Sequence, residues 1–192
     1  MIRIDLLVAG SLEKDNDGNV TKADSTSTLI RTEDGIIVVD PSTIFLKPII
    51  KKSFKQLGVY PNEVSCVVLT HSHRDHIENL SMFPNATVYV HEGEDMQVPG
   101  AIIVTDAKFQ LMPNIRLVHT PGHTKGSMSV FIKSEQKYVI AGDAIPTENN
   151  FRRMVPPATN YDKDLALQSI KMIKRYADVV IPGHGFPFMA RM

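Results

Sequence analysis

The sequence predicts an α+β fold in one domain spanning residues 1–192. Two observations carry this expectation. Short β-rich runs alternate with helical segments along the whole chain, and no repeat, low-complexity tract or linker interrupts them. With 43% hydrophobic and 22% charged residues, 192 residues supply one core of ordinary size.

Strands are expected over Ile2–Val8, Ser25–Arg31 and Gly35–Val39, the last two joined by the turn signal Glu33-Asp34-Gly35, as an antiparallel meander. Thr43–Leu57 reads as a helix, with Pro48 tolerated in its first turn and Gly58 as its stop. VSCVVLTHSH is too uniformly apolar at its start to be half exposed. It reads as a buried strand running into polar residues, with Cys66 as a small hydrophobe. A short helix over Ile77–Met82 follows, then strands at Thr87–His91, Ala101–Val104 and Ile115–His119. SMSVFIKS and KYVIAGD form a hairpin across Glu135 and Gln136. Asn149–Asn160, carrying Pro156 and Pro157, reads as a long loop. Asp162 or Asp164 caps a helix reaching Tyr176, and ADVVIPGHG closes the order with a strand and turn.

Basic and acidic residues number 21 each, which argues against a protein that coats nucleic acid or an anionic membrane. A lone cysteine cannot form an internal disulfide. The N-terminus has no signal-peptide pattern and no run approaches the ~20 apolar residues of a membrane span, so a cytoplasmic location is expected.

The chemistry concentrates in His71-Ser72-His73-Arg74-Asp75-His76. At a strand end, alternate residues His71 and His73 can project together, while Asp75 and His76 follow where the chain turns and can serve a second ion. Neutral imidazoles and carboxylates suit zinc, and they also accept iron or manganese. Three further candidates each follow a glycine at the end of an expected strand: His123 in PGHTKGS, Asp143 in VIAGDA and His184 in VIPGHG.

HSHRDH, PGHTKGS, AGD and PGHG, in this order after VVDPS, resemble the motif set of the metallo-β-lactamase superfamily across residues 28–186. HSHRDHIENLSMFPNA and ADVVIPGHGFPF are most similar to its metallo-β-lactamase domain-containing protein 1-like branch. The resemblance implies a four-layered αβ/βα sandwich with metals at one edge of two packed sheets. It implies one metal on His71, His73 and His123, a second on Asp75, His76 and His184, and Asp143 bridging them. Asp40 in VVDPS would orient the metal loop from behind.

The implied activity is hydrolysis by a hydroxide bridged between two divalent ions, zinc in the first instance, acting on an ester, thioester, lactone or phosphodiester. Asp75 and Asp143 are the candidate catalytic carboxylates. Two ions and one hydroxide would bring about +3 to a neutral chain, favouring a small-molecule substrate with a negative group. Specificity then falls to loops such as Asn149–Asn160 or to a second subunit of a homo-oligomer. The competing readings are a mononuclear iron persulfide dioxygenase, a nuclease of the same fold, and a metal-binding scaffold without activity. Zero net charge and no insertion for a tRNA-binding arm weigh against nucleic acid. His119 is expected in a structural role, His91 exposed at a strand end, and Thr124 and Ser127 in loop hydrogen bonds. Lys125, Arg152 and Arg153 are expected solvated.

Overall fold

The structure is a computed structural model and describes residues 1–96 and 98–191. It opens with β1 (Arg3–Val8), then a hairpin of β2 (Ser11–Lys14) and β3 (Val20–Asp24) that the sequence reading missed. These two strands are mostly exposed and polar, so no apolar alternation marks them. Their connection is held by Asp15, whose carboxylate accepts the Asp17 and Asn19 N–H groups, and by Gly18 at φ 87°. The meander resumes with β4 (Ser27–Arg31) and β5 (Ile36–Val39).

A 3₁₀ turn at Ile44–Leu46 leads into α1 (Lys47–Leu57), with Pro48 in its first turn and Gly58 ending it at φ 66°, as expected. Ile50 and Phe54, four apart, face inward, and burying each is worth about 1.5–3 kcal/mol. In VSCVVLTHSH, β6 covers Cys66–Val68 and is buried as expected, and the histidines lie beyond its end. The helix expected over Ile77–Met82 is instead α2 (Arg74–Ile77) followed by a 3₁₀ turn at Leu80–Met82, so Asp75 and His76 are themselves helical.

Strands β7 (Thr87–His91), β8 (Ile102–Val104), β9 (Lys108–Met112) and β10 (Ile115–His119) follow, β9 being unforeseen. The hairpin of β11 (Met128–Lys133) and β12 (Lys137–Gly142) forms as expected. The expected loop Asn149–Asn160 is in its first part helical, as α3 (Glu148–Arg153), started by the Thr147 hydroxyl accepting the Asn150 N–H. Its two prolines lie beyond the helix and do not prevent it. Asp162 caps α4 (Lys163–Tyr176) by accepting from Asp164 and Leu165 N–H, and β13 (Val179–Pro182) and the unforeseen short β14 (Phe188–Met189) complete the order.

The strands form two six-stranded sheets, ordered β1-β4-β5-β6-β7-β8 and β14-β13-β12-β11-β10-β9, with β2-β3 apart. Pairing is parallel from β5 to β8 and between β12 and β13, and antiparallel elsewhere. Period-two alternation sets the layers. Ile37, Val39 and Val68 of the first sheet meet Leu117, Val130 and Ile140 of the second, whereas Val38 and Val67 face outward onto α1. Val139 and Val180 likewise face outward onto Phe151 of α3 and Ile170 and Ile173 of α4. Helix, sheet, sheet and helix make the four-layered αβ/βα sandwich. Among the described residues no helix is long and apolar enough to cross a membrane.

Candidate metal centre

The chain leaves β5, β6, β10, β12 and β13 at one edge of the sandwich, and all seven candidate ligands lie there. His71 and His73 occupy the loop after β6, and Asp75 and His76 the first turn of α2. His123 lies between β10 and β11, Asp143 just after β12, and His184 just after β13. His71, His76, His123, Asp143 and His184 are buried, with His73 and Asp75 nearer the surface.

Donor atoms fall into three overlapping groups, each within 4.8 Å: His71, His73 and His123; His71, His76 and Asp143; Asp75, His76 and His184. Asp143 is central. Its Oδ1 lies 3.5 Å from His76 Nε2 and 3.3 Å from His184 Nε2, while its Oδ2 lies 3.5 Å from His123 Nε2. Asp75 Oδ2 stands 3.6 Å from His76 Nε2 and 3.8 Å from His184 Nε2.

Four rings are fixed from behind. His123 Nδ1–H donates to the Thr159 carbonyl at 2.8 Å and His184 Nδ1–H to that of Asp24 at 2.9 Å. A carbonyl can only accept, so the proton is on Nδ1 and the Nε2 lone pair faces the centre. Asp40 does the same through its side chain. Its Oδ2 accepts from His76 Nδ1 at 2.8 Å and from the Thr70 hydroxyl at 2.7 Å, and its Oδ1 from the Thr70 N–H at 2.8 Å. With its own proton spent on Asp40, the Thr70 oxygen accepts His71 Nδ1–H at 3.1 Å. Asp40 holds this position at φ 50°, in the left-handed region that aspartate tolerates better than most residues.

Tight backbone contact explains two of the glycines. At φ 50°, a Cβ on Gly142 would meet Thr70 Oγ1 at 2.4 Å, and one on Gly183 would meet Asp143 Oδ1 at 2.0 Å.

Charge is distributed unevenly over the cluster. Burial, and then neighbouring His76, hold His71 well below the ordinary histidine range; burial and His123 lower His73. Burial also opposes a proton on His76, yet the Asp40 and Asp143 carboxylates raise it well above that range, and Asp143 raises His184 against the same penalty. Burial disfavours the Asp143 anion, but His184 and His76 hold its carboxyl well below the usual range.

His71 Nε2, His76 Nε2 and Asp143 Oδ1 are buried without any hydrogen-bond partner. Unpaired buried polar atoms cost about 1–3 kcal/mol each, so three converging on one point fit a cation as their common partner. The donors, imidazole nitrogen and carboxylate oxygen, suit divalent zinc, iron or manganese.

Thr70 and the carbonyls of Asp24 and Thr159 were missed from sequence. Thr70 carried one usable signal, a hydroxyl placed between a buried apolar run and the first histidine; the carbonyls carry none. His91 corrects an expectation: it is 5% exposed, stacked on His119 with ring centroids 4.0 Å apart. His119 Nε2–H donates to the Lys125 carbonyl, a structural role, and Thr124 and Ser127 hydrogen-bond within their loop, as expected. Arg152 is not simply solvated, since it reaches Glu148 and the carbonyls of Met189 and Ala190.

The chain matches the family described as Metallo-beta-lactamase superfamily over residues 20–100 and 98–184. It is 43% identical over 183 residues to a protein of Methanocaldococcus jannaschii named as a metallo-hydrolase, covering 95% of this chain and 87% of that one. Metallo-beta-lactamase domain-containing protein 1 of Xenopus laevis is 31% identical over 183 residues, covering 91% and 76%. Among solved structures, Bacillus thuringiensis AiiA with N-decanoyl-L-homoserine at its active site superposes with TM-score 0.76 at 22% identity, covering 94% and 92%.

Proposed function

The chain belongs to the metallo-beta-lactamase superfamily and is one of its metallo-hydrolases, and from that premise we propose a dinuclear zinc enzyme that hydrolyses the acyl carbonyl of a small lactone, ester or thioester. The observation that carries this reading is the convergence of three buried, unpartnered donor atoms among imidazoles whose Nδ1–H groups are already committed. His71, His73 and His123 would hold one ion, Asp75, His76 and His184 the other, with Asp143 between them. When bound, such a pair supplies Lewis acidity and acidifies water at the site.

The protein's own groups do the rest. Asp143, held ionised by His184 and His76 despite its burial, provides the negative charge at the centre of the donor set. Asp75, nearer the surface, is placed to accept the proton that water gives up. The Asp40 and Thr70 bonds and the two carbonyls keep the imidazoles from turning as charge develops.

Substrate class is read from the walls. A cleft of about 80 Å³ beside His123 and Asp143 is bounded by Leu12 and Val20 on the β2-β3 hairpin and by Pro146, Pro157 and Ala158 opposite. Lys14, Asn150 and Thr159 are its other polar members. Apolar walls suit an acyl group, and Lys14 suits the carboxylate that hydrolysis of an acyl bond releases. A larger cavity of about 540 Å³, among Met1, Ile2, Asn114 and Tyr138, shares no residue with the ligand cluster. The AiiA structure carries an acyl homoserine in the same fold, which agrees with an acyl substrate here.

Metal analysis of protein purified without chelator, combined with lactone, thioester and phosphodiester probes, tests the reading. Two equivalents of zinc and acyl-substrate turnover abolished by Asp143→Ala are expected. A single iron and no second metal would favour an oxygenase instead, and preference for the phosphodiester would favour a nuclease.

A further inference from the structure

We propose that Glu94 is the positioning residue for the donor set His71, His73 and His123, clamping together two ligand loops that arise from different sheets. The inference rests on the reading that these three histidines hold a metal ion.

Glu94 sits in the turn after β7, its N–H bonded to the His91 carbonyl at 3.0 Å. Its Oε2 accepts the Ser72 N–H at 2.8 Å and the Ser72 hydroxyl at 2.6 Å, and its Oε1 accepts the Thr124 hydroxyl. Ser72 lies between His71 and His73, and Thr124 follows His123. One carboxylate therefore fixes the separation of the two segments that carry all three imidazoles. A merely solvated surface acid would direct its oxygens to water, whereas here both are engaged by the ligand loops. Both oxygens are thus turned to the ligand loops, and Glu94 acts through its neighbours.

The turn that carries it is itself seated on the second loop. A Cβ on Gly93 would stand 2.8 Å from Gly126 Cα, and one on Gly126 would stand 2.5 Å from Glu94 N, so the two backbones touch. The His91 ring stacks on His119 at an interplanar angle of 9°, and His119 Nε2–H donates to the Lys125 carbonyl at 2.9 Å. Proton counting closes the clamp. Thr124 has one hydroxyl proton and gives it to Glu94, which can only accept; the Ser127 hydroxyl then donates to Thr124 at 2.6 Å while accepting the Thr124 N–H at 3.1 Å.

The same count separates geometry from charge. In Glu94→Gln the amide oxygen can accept both Ser72 protons and the amide NH₂ can donate to Thr124, whose own proton turns to Ser127. Each contact of the clamp survives, while the charge is lost and the Ser127 proton is released from Thr124.

Zinc binding to the chelator-stripped full chain, read by competition with a chromophoric chelator, tests the clamp. Glu94→Ala is expected to weaken one of two binding events by about 10- to 100-fold and leave the other unchanged. Glu94→Gln is expected to restore it to within about threefold, and Thr124→Val to weaken the same event with a loss that is not additive with Glu94→Ala. An alanine variant that binds as wild type does, equal weakening of both events, or a glutamine variant as impaired as alanine overturns the proposal. Should Glu94→Ala fail to fold, Thr124→Val decides alone, and unchanged zinc affinity there overturns it. A wild-type chain that binds no zinc removes the metal centre and the clamp together; tight binding by wild type and alanine variant alike removes the clamp only.

Discussion

Gly183 lies directly against the carboxylate of Asp143, so close that a methyl group on its α-carbon would stand 2.0 Å from Asp143 Oδ1. The central carboxylate and the chain leading to His184 thus share one space. Gly183→Ala must displace Asp143, His184 or both. Turnover is expected to fall by about 100-fold, the scale of an ångström-sized misplacement, with the circular dichroism of the fold retained. Steady-state kinetics on the folded variant check this, and activity within a few-fold of wild type would contradict it.

Asp40→Asn probes the tautomer of His76. Asp40 Oδ2 now takes the Nδ1 proton of that ring; an amide NH₂ in its place would face Nδ1 as a donor and drive the proton to Nε2, where the lone pair is needed. Zinc affinity is expected to drop by about 10- to 100-fold. Nitrogen NMR of the chelator-stripped variant, at a pH where the ring is neutral, should show the tautomer reversed.

Zinc binding should release protons and weaken as pH falls. In the chelator-stripped chain, Asp40 and Asp143 hold His76 well above the ordinary histidine value near 6.5, and Asp143 raises His184, each against the cost of burial. Both rings therefore hold a proton more readily than a free histidine, and a cation must compete with it, whereas His71 and His73, lowered by burial, give theirs up more readily. The number of protons released is expected to grow as pH falls. Calorimetry in buffers of different ionisation enthalpy measures the number, and binding with no proton release would contradict these charge states.

Asp162→Ala removes the side chain that caps α4. A loss of about 1 kcal/mol is expected, seen as a melting temperature lower by about 2–4 °C for a chain of this size. Thermal denaturation of the chelator-stripped protein isolates this effect from metal binding.

What the sequence made legible follows from the kind of signal each feature leaves. Six chemically distinctive residues in HSHRDH, and His123, Asp143 and His184 each beside a glycine, stand out by residue type and spacing. α1 and α4 were readable because Pro48 and Gly58 at the two ends of one, and Asp162 before the other, are local marks of a start, a stop and a cap. The β2-β3 hairpin was not, because its strands bury little and are held by an Asp15-centred turn rather than by apolar alternation. α3 was hidden by prolines that come after it. The carbonyls of Asp24 and Thr159 have no side-chain signature at all, and Glu94 resembles any surface acid until the fold brings Ser72 and Thr124 to it.

The division of the donors between the sheets has a consequence for how the chain matures. His71, His73, Asp75 and His76 follow a strand of the first sheet, while His123, Asp143 and His184 follow strands of the second. Each sheet carries only part of the donor set, and docking assembles the whole. A cation captured at this edge would act as a rivet across the interface, its binding free energy adding to the stability of the docked halves. Metal supply would then govern how long the assembled sandwich survives, quite apart from what it turns over.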